Sequence, residues 1–285
     1  MACLPESVSK AMKDAGDEET GKSIEESYQG VLAKRADFIE YGDPEKLTDK
    51  QRAKLNCALL KQVLIHRAER LMVACGQMFE TKNLYALALS ARGHMEAVAV
   101  MGYMTRRLDS LIKGNIEFAR FEEDIANGLM GAHDDIFTLA KAPVNVLTCV
   151  EHTDKILDAE FFKEKKQAMQ SLYTWLSEFA HPNFCSNKSA FDLDKATGRM
   201  VLRKENEINT DYFQTMSTLC MSGSFLQWLI ELFDTHVETY FKDEEPKAIA
   251  RRSGSEERGD QDGESVSRRD DDRRDDCRAQ EFCLL

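Results

Sequence analysis

The sequence predicts an all-α protein: a helical bundle of about six to seven helices, with one β-hairpin insertion and a disordered C-terminal tail. Apolar residues recur at helical spacing through most of residues 23–245, which are assigned to the bundle domain. Apolar and polar residues alternate near residues 189–204, which is typical of a hairpin. Aliphatic residues almost disappear in residues 246–285, so this tail cannot bury enough apolar surface to offset the entropy of ordering. Residues 1–22 are expected to be a flexible N-terminal segment.

Three helices of the first half are predicted to begin at capping residues. Ser23 with Glu26, and Thr48 with Gln51, fit the capping box, in which two side chains three residues apart satisfy each other's backbone N–H groups. Asn83 precedes the next long apolar-periodic run and can accept from the first free N–H groups of a helix. These starts define helices in the segments that follow each cap.

The second half of the chain is predicted to contain three further helices. They cover about residues 144–157, from about 160 to His181, and about 211–242. The middle one must end at His181, because the ring of Pro182 disfavours helical geometry at the preceding residue. The hairpin lies before the last helix.

Composition and charge limit the classes of function. The net charge is −12, so the chain has no general attraction for nucleic acid or for an anionic membrane. The uncharged run Phe213–Ile230 contains several Ser, Thr and Gln residues, which favours a buried helix over a membrane span. The eight cysteines are scattered, and the N-terminus has no apolar run of signal-peptide length. A cytoplasmic location is therefore predicted.

Arg92 and Glu96 form the first candidate site. They are four residues apart in a predicted helix, so they share a face and can form an ion pair. Apolar sequence flanks this face on both sides, so the pair is expected to be partly buried. Burial of an ion pair is weak evidence for stability, because desolvation offsets the attraction. The pair is therefore a candidate for function, and equally an ion pair that holds helices together.

Glu178 and His181 form the second candidate site. A histidine at a helix end beside a carboxylate can act as general acid or base, and it can equally serve as a C-terminal cap. The Glu-x-x-His motif that they form occurs once, whereas a di-iron bundle uses two copies and two further glutamates. The sequence therefore predicts no metal and no cofactor.

Two stretches resemble a group of bacterial all-helical domain families of unknown function. ALSARGHMEAVAVMGYMTRRL, with Arg92 and Glu96, resembles their Arg-x-x-x-Glu helix, and LSEFAHPN, with Ser177 and His181, is similar to their later Ser-x-x-x-His-Pro helix end. These families are likened to HEPN bundles, which include abortive-infection and toxin ribonucleases. The HEPN signature is an Arg followed by four to six residues and then a His on one helix. No arginine precedes His181 at that distance.

Two functional hypotheses follow. The first is a regulatory, non-enzymatic bacterial protein, related to phage defence, in which a buried Arg92, Glu96 and His181 cluster holds the bundle together or binds a small polar ligand. The alternative that the resemblance implies is a HEPN-like, metal-independent ribonuclease, with His181 as general acid or base and Arg92 at the phosphate. The first is favoured, because the chain is acidic and lacks the Arg–His motif. Whether the protein is an enzyme stays open, the sequence identifies no partner, and a homodimer is left open.

Overall fold

The computed structural model describes residues 2–132, 141–182, 184–187, 190–203 and 207–244. In this part of the chain the fold is helical with one two-stranded antiparallel hairpin, which confirms the predicted fold class. The α-helices are α1 (Glu6–Asp14), α2 (Glu18–Ala33), α3 (Asp49–Glu80), α4 (Leu84–Ile112), α5 (Phe118–Met130), α6 (Val146–Ile156), α7 (Ala168–Ala180), α8 (Phe184–Asn187) and α9 (Thr210–Tyr240). The hairpin strands are β1 (Phe191–Asp194) and β2 (Arg199–Leu202). A 3₁₀ turn covers Pro44–Lys46, and a π-helical segment, Leu157–Phe162, continues α6.

The long helix α4 lies at the centre of the bundle and packs against α3, α6, α7 and α9. Buried alanine, methionine and valine side chains cover most of its circumference, as expected for a helix enclosed by others. Gly102 permits the close approach of α6, because a Cβ there would overlap the side chain of Thr153. The Thr153 hydroxyl donates to the Ala99 backbone oxygen of α4 (3.0 Å). Residues of α4 therefore reach neighbours on several sides.

Two of the three predicted helix starts are confirmed. Thr48 and Gln51 form the capping box of α3, with N–O distances of 3.2 and 3.1 Å. The Asn83 side chain accepts from the Ala86 N–H of α4 (3.1 Å). The prediction at Ser23 is wrong, because α2 begins at Glu18 and Ser23 lies inside the helix.

The N-terminal residues 1–22 differ from the flexible segment that was expected. They contain α1 and the first turn of α2, and Leu4, Val8 and Met12 are buried at a spacing of four residues. The Glu25 carboxylate accepts from the Leu4 N–H (2.6 Å), which fixes the start of the chain to α2. This apolar edge is only three residues long and stands among charged residues, so the sequence pattern did not reveal it.

Helix α7 starts later than expected. Instead of beginning near Glu160, it begins at Ala168, after the π segment and a loop in which Lys163 and Gln167 have positive φ. Its first free N–H groups, those of Met169 and Gln170, donate to the Asp154 carboxylate of α6 (2.8 and 3.0 Å). The cap is thus a tertiary contact with no local signal.

The end of α7 is as predicted. His181 follows the last helical residue and has an extended backbone (φ −113°, ψ 146°), the conformation that a following proline requires.

The predicted hairpin and the last helix are confirmed. β1 pairs with β2 in the register Phe191↔Leu202, and Gly198 takes a positive φ of 66° at the turn.

Most of the uncharged run of α9 is buried in the core. No helix among the described residues is both long and apolar enough to cross a membrane. The predicted tail, residues 246–285, lies outside the described residues.

Candidate functional site

Arg92, Glu96, Arg67 and Tyr173 form one polar group, here called the Arg92 cluster, where α3, α4 and α7 meet. The Arg92 Nη2 donates to the Tyr173 hydroxyl (2.6 Å), and the guanidinium carbon lies 4.9 Å from the centroid of the same ring. On its other side, the Arg92 Nε lies 3.4 Å from the Glu96 carboxylate. The structure therefore brings together Arg92 and Glu96, as their spacing predicted, and adds a tyrosine from α7.

The cluster is partly open to solvent and carries one excess positive charge. The side chains of Arg92 and Glu96 are 23% and 31% exposed, so the ion pair is half-buried. The Arg67 Nη2 lies 3.8 Å from the second Glu96 oxygen, and its side chain is 54% exposed. The Arg92 Nε is buried without a hydrogen-bond partner in the described part of the chain, because Glu96 is close but poorly aligned. A half-exposed pair of this kind contributes little to stability by Coulomb attraction alone.

The other two predicted site residues lie further along α7. Glu178 is half-buried, and His181 is exposed where the helix ends. Two contacts show that α4 and α7 run antiparallel. Tyr85, at the start of α4, donates to the backbone oxygen of Ser186, beyond the end of α7 (2.8 Å), whereas Arg92, later in α4, contacts Tyr173, earlier in α7.

His181 does not join the Arg92 cluster through any contact between described residues. It follows Tyr173 by eight residues, which corresponds to about 12 Å along a helix axis. Among the described residues, no hydrogen bond or ion pair connects its ring with Arg92 or Glu96.

Tyr173 is the contact residue that the sequence analysis missed. It opens the stretch YTWLSEFAHPN and lies on the buried side of α7. Its partner is 81 residues away in the chain, so no periodicity within α7 could have identified the contact. Only its polar hydroxyl on a buried face was a signal, because a buried tyrosine hydroxyl usually has a hydrogen-bond partner.

A second, more deeply buried polar group was also missed. The Asp124 side chain of α5 is only 1% exposed, and its carboxylate accepts from the Tyr103 hydroxyl (3.1 Å) and from the Arg107 Nε of α4. Arg120 lies 3.4 Å away. Burial, and then the nearby Asp124 carboxylate, raise the pKa of Tyr103 to about 12. This group ties α5 to α4.

His94 is the fully buried titratable residue of α4. Its Nδ1 lies 2.9 Å from the Ser222 hydroxyl of α9, which itself donates to the Leu219 backbone oxygen (3.0 Å). Because that hydroxyl has a single proton, the His94 Nδ1 is the donor and Nε2 carries the lone pair. Burial lowers the pKa of His94 to about 4, so the ring is neutral at pH 7.

The described residues contain no group of three or more His, Cys, Asp or Glu side chains that could hold a metal ion. Comparison with protein-family models, with curated proteins and with solved structures gave no match. The function must therefore be argued from the geometry of the chain itself.

Proposed function

We propose that this chain is a regulatory, non-enzymatic protein of the bacterial cytoplasm, related to phage defence, and that the Arg92 cluster sets the position of α7 against α4. The observation that supports this role is the double contact of Arg92 with Tyr173, by hydrogen bond and by ring face. On its other side, the Arg92 Nε lies 3.4 Å from the Glu96 carboxylate, so the guanidinium stands between groups of the protein. This Nε has no hydrogen-bond partner among the described residues, but it is buried and does not face a phosphate in solvent.

The alternative, a HEPN-like ribonuclease, needs an arginine and a histidine at the same phosphate. Acid–base catalysis requires the catalytic group within hydrogen-bond reach of the reacting atoms. His181 and Arg92 are both present, but His181 lies beyond the end of α7, eight residues after Tyr173, the residue that Arg92 contacts. The geometry therefore supports the regulatory role better than the nuclease role.

An RNA-degradation assay distinguishes the two functions. Purified protein is incubated with RNA in the presence of a metal chelator, alongside the His181→Ala variant. We expect the RNA to stay intact with both proteins. Cleavage by the wild type that disappears in His181→Ala would instead establish the ribonuclease.

A phage-plating assay tests the link to defence. A bacterial host expresses the wild type, Arg92→Ala or His181→Ala, and plaques are counted after phage challenge. We expect protection by the wild type and by His181→Ala, and reduced protection by Arg92→Ala, because only the last loosens α7. Equal plaque numbers with and without the wild-type chain would contradict the defence role. Loss of protection in His181→Ala alone would favour the nuclease.

A further inference from the structure

A cavity of about 270 Å³ opens on the side of α4 that faces α6 and α9. It is formed by the C-terminal half of α4, the end of α6 with the π segment, and the C-terminal half of α9. Its lining includes an apolar wall of Ile156 and Leu232. The polar lining residues are Arg106, Asp109, Lys113, Lys155, Glu160 and His236. None of them belongs to the Arg92 cluster.

Three cations, Arg106, Lys113 and Lys155, line the cavity, although the whole chain has a net charge of −12. Lys113 is paired with Asp109 inside the cavity (2.8 Å), and Lys155 is paired with Glu151 (2.5 Å), which is not part of the lining. Arg106 has no ion pair with any residue that the structure describes. Of the three lining cations, only Arg106 has no carboxylate partner among the described residues, so its guanidinium is available to an anion.

His236 supplies an independent sign of a missing partner. Its Nδ1 is buried and has no hydrogen-bond partner among the residues described. Buried polar atoms in folded proteins nearly always have a partner, and an exception needs an explanation. A neutral imidazole can donate from Nδ1 in one of its tautomers, so this nitrogen can serve as a donor to an anion.

The π segment forms one wall of the cavity through Ala159 and Glu160. π-helical turns are rare and occur frequently at functional sites. Phe161 of this segment packs edge-on against Phe225 and Trp228 of α9, with centroids 5.7 and 5.8 Å apart. The wall is thus held in place by aromatic contacts with the same helix that carries His236.

We propose that this cavity binds a small phosphate dianion, either free phosphate or a phosphomonoester. The planar fork of Arg106 matches two phosphate oxygens, and the His236 Nδ1 donates the remaining hydrogen bond. Lys155 can exchange its solvent-exposed partner Glu151 for the second charge of the ligand. Sites for drug-sized ligands begin at about 300 Å³, so the occupant is a small molecule. This inference goes beyond the proposed regulatory role and is tested on different residues.

Calorimetric titration of the full chain tests the site. The probes are inorganic phosphate and glycerol phosphate, at constant ionic strength, with succinate as a dianion of different geometry. The variants are Arg106→Gln, Lys155→Gln and His236→Phe. Arg52→Gln is the matched control, because it also removes one arginine charge and lies on α3, outside the cavity.

We expect saturable binding of both phosphate probes by the wild type and by Arg52→Gln. Affinity should fall by about tenfold or more in Arg106→Gln and by a smaller factor in the other two variants, in keeping with charge-assisted hydrogen bonds. Lys155 is exposed, so its variant remains informative if Arg106→Gln does not fold.

Tighter binding of the ester would identify a phosphomonoester that uses the wall of Ile156 and Leu232; equal binding would identify free phosphate. No binding by folded wild type, equal binding of succinate, or unchanged affinity in Arg106→Gln and Lys155→Gln would overturn the proposal.

Discussion

The guanidinium of Arg92 contacts Tyr173 in two ways, through a 2.6 Å hydrogen bond to the hydroxyl and through the face of the ring at 4.9 Å. The two residues are 81 positions apart, on α4 and α7. α7 has no side-chain cap from its own N-cap residue and is anchored at its start by Asp154. Arg92 thus fixes the middle of a helix whose start is fixed from α6.

Tyr173→Phe should lower the stability of the fold slightly, and Arg92→Ala should lower it more. The phenylalanine keeps the ring contact and loses only the hydrogen bond, which is expected to cost about 1 kcal/mol at a partly exposed site. Arg92→Ala also removes the ring contact and leaves Glu96 with the more distant Arg67. For a chain of this size, 1 kcal/mol corresponds to roughly 2–4 °C in melting temperature. Thermal unfolding of both single variants and of the double variant measures the coupling. Strictly additive effects would show that the two side chains do not stabilise each other.

Asp124→Ala should destabilise the protein far more than Glu123→Ala, although the residues are adjacent in α5. Asp124 is 1% exposed and accepts from Arg107, so its removal strands a largely buried guanidinium, which typically costs about 3–5 kcal/mol. Glu123 is 56% exposed and pairs with Arg120 at the surface, so its loss should cost less than about 1 kcal/mol. Urea denaturation of the two variants measures the difference. Similar midpoints would mean that Asp124 is not needed to hold α5 on α4.

Local signals in the sequence predicted much of the fold. The caps at Thr48 and Asn83 and the break at Pro182 act within a few residues of the chain, so the pattern contains the full cause. The same holds for the pairing of Arg92 with Glu96, which follows from their spacing on one helix.

Contacts between distant residues could not be predicted in the same way. The cap of α7 comes from Asp154, and the partner of Arg92 comes from Tyr173; both depend on how helices pack. Asp124 stands in a run of acidic residues, FEED, and nothing in that run distinguishes the buried carboxylate of Asp124 from the other two. The cavity near Arg106 is formed by three separate segments, so no single stretch of sequence indicates it.

The buried ring of His94 makes the stability of the fold depend on pH. Its pKa is about 4 in the folded protein, below the ordinary value of 6.5, because burial disfavours the charged ring. The unfolded chain therefore binds a proton at His94 at a higher pH than the folded chain does. The stabilisation is complete above about pH 6.5 and is lost as the pH falls from there towards 4.

His94→Asn should remove this part of the pH dependence. An asparagine can keep a hydrogen bond to Ser222 but cannot take up a proton, so the variant should lose less stability on acidification. At neutral pH it should be less stable than the wild type, because the smaller side chain leaves space in the fully buried site. Between pH 7 and pH 4.5 the wild type should lose about 2 kcal/mol more than the variant, from the cost of 1.36 kcal/mol per pKa unit. Urea denaturation at the two pH values measures the free energy of unfolding, with circular dichroism confirming a folded state at pH 4.5.

Ser222→Ala is the matched control: it removes the hydrogen bond and keeps the buried imidazole, so its pH dependence should follow that of the wild type. Burial also lowers the pKa of His152, but this residue is present in all three proteins, so its contribution to the pH dependence cancels in the comparison. Parallel loss of stability in the wild type and in His94→Asn would mean that protonation of His94 does not limit the acid stability of the bundle.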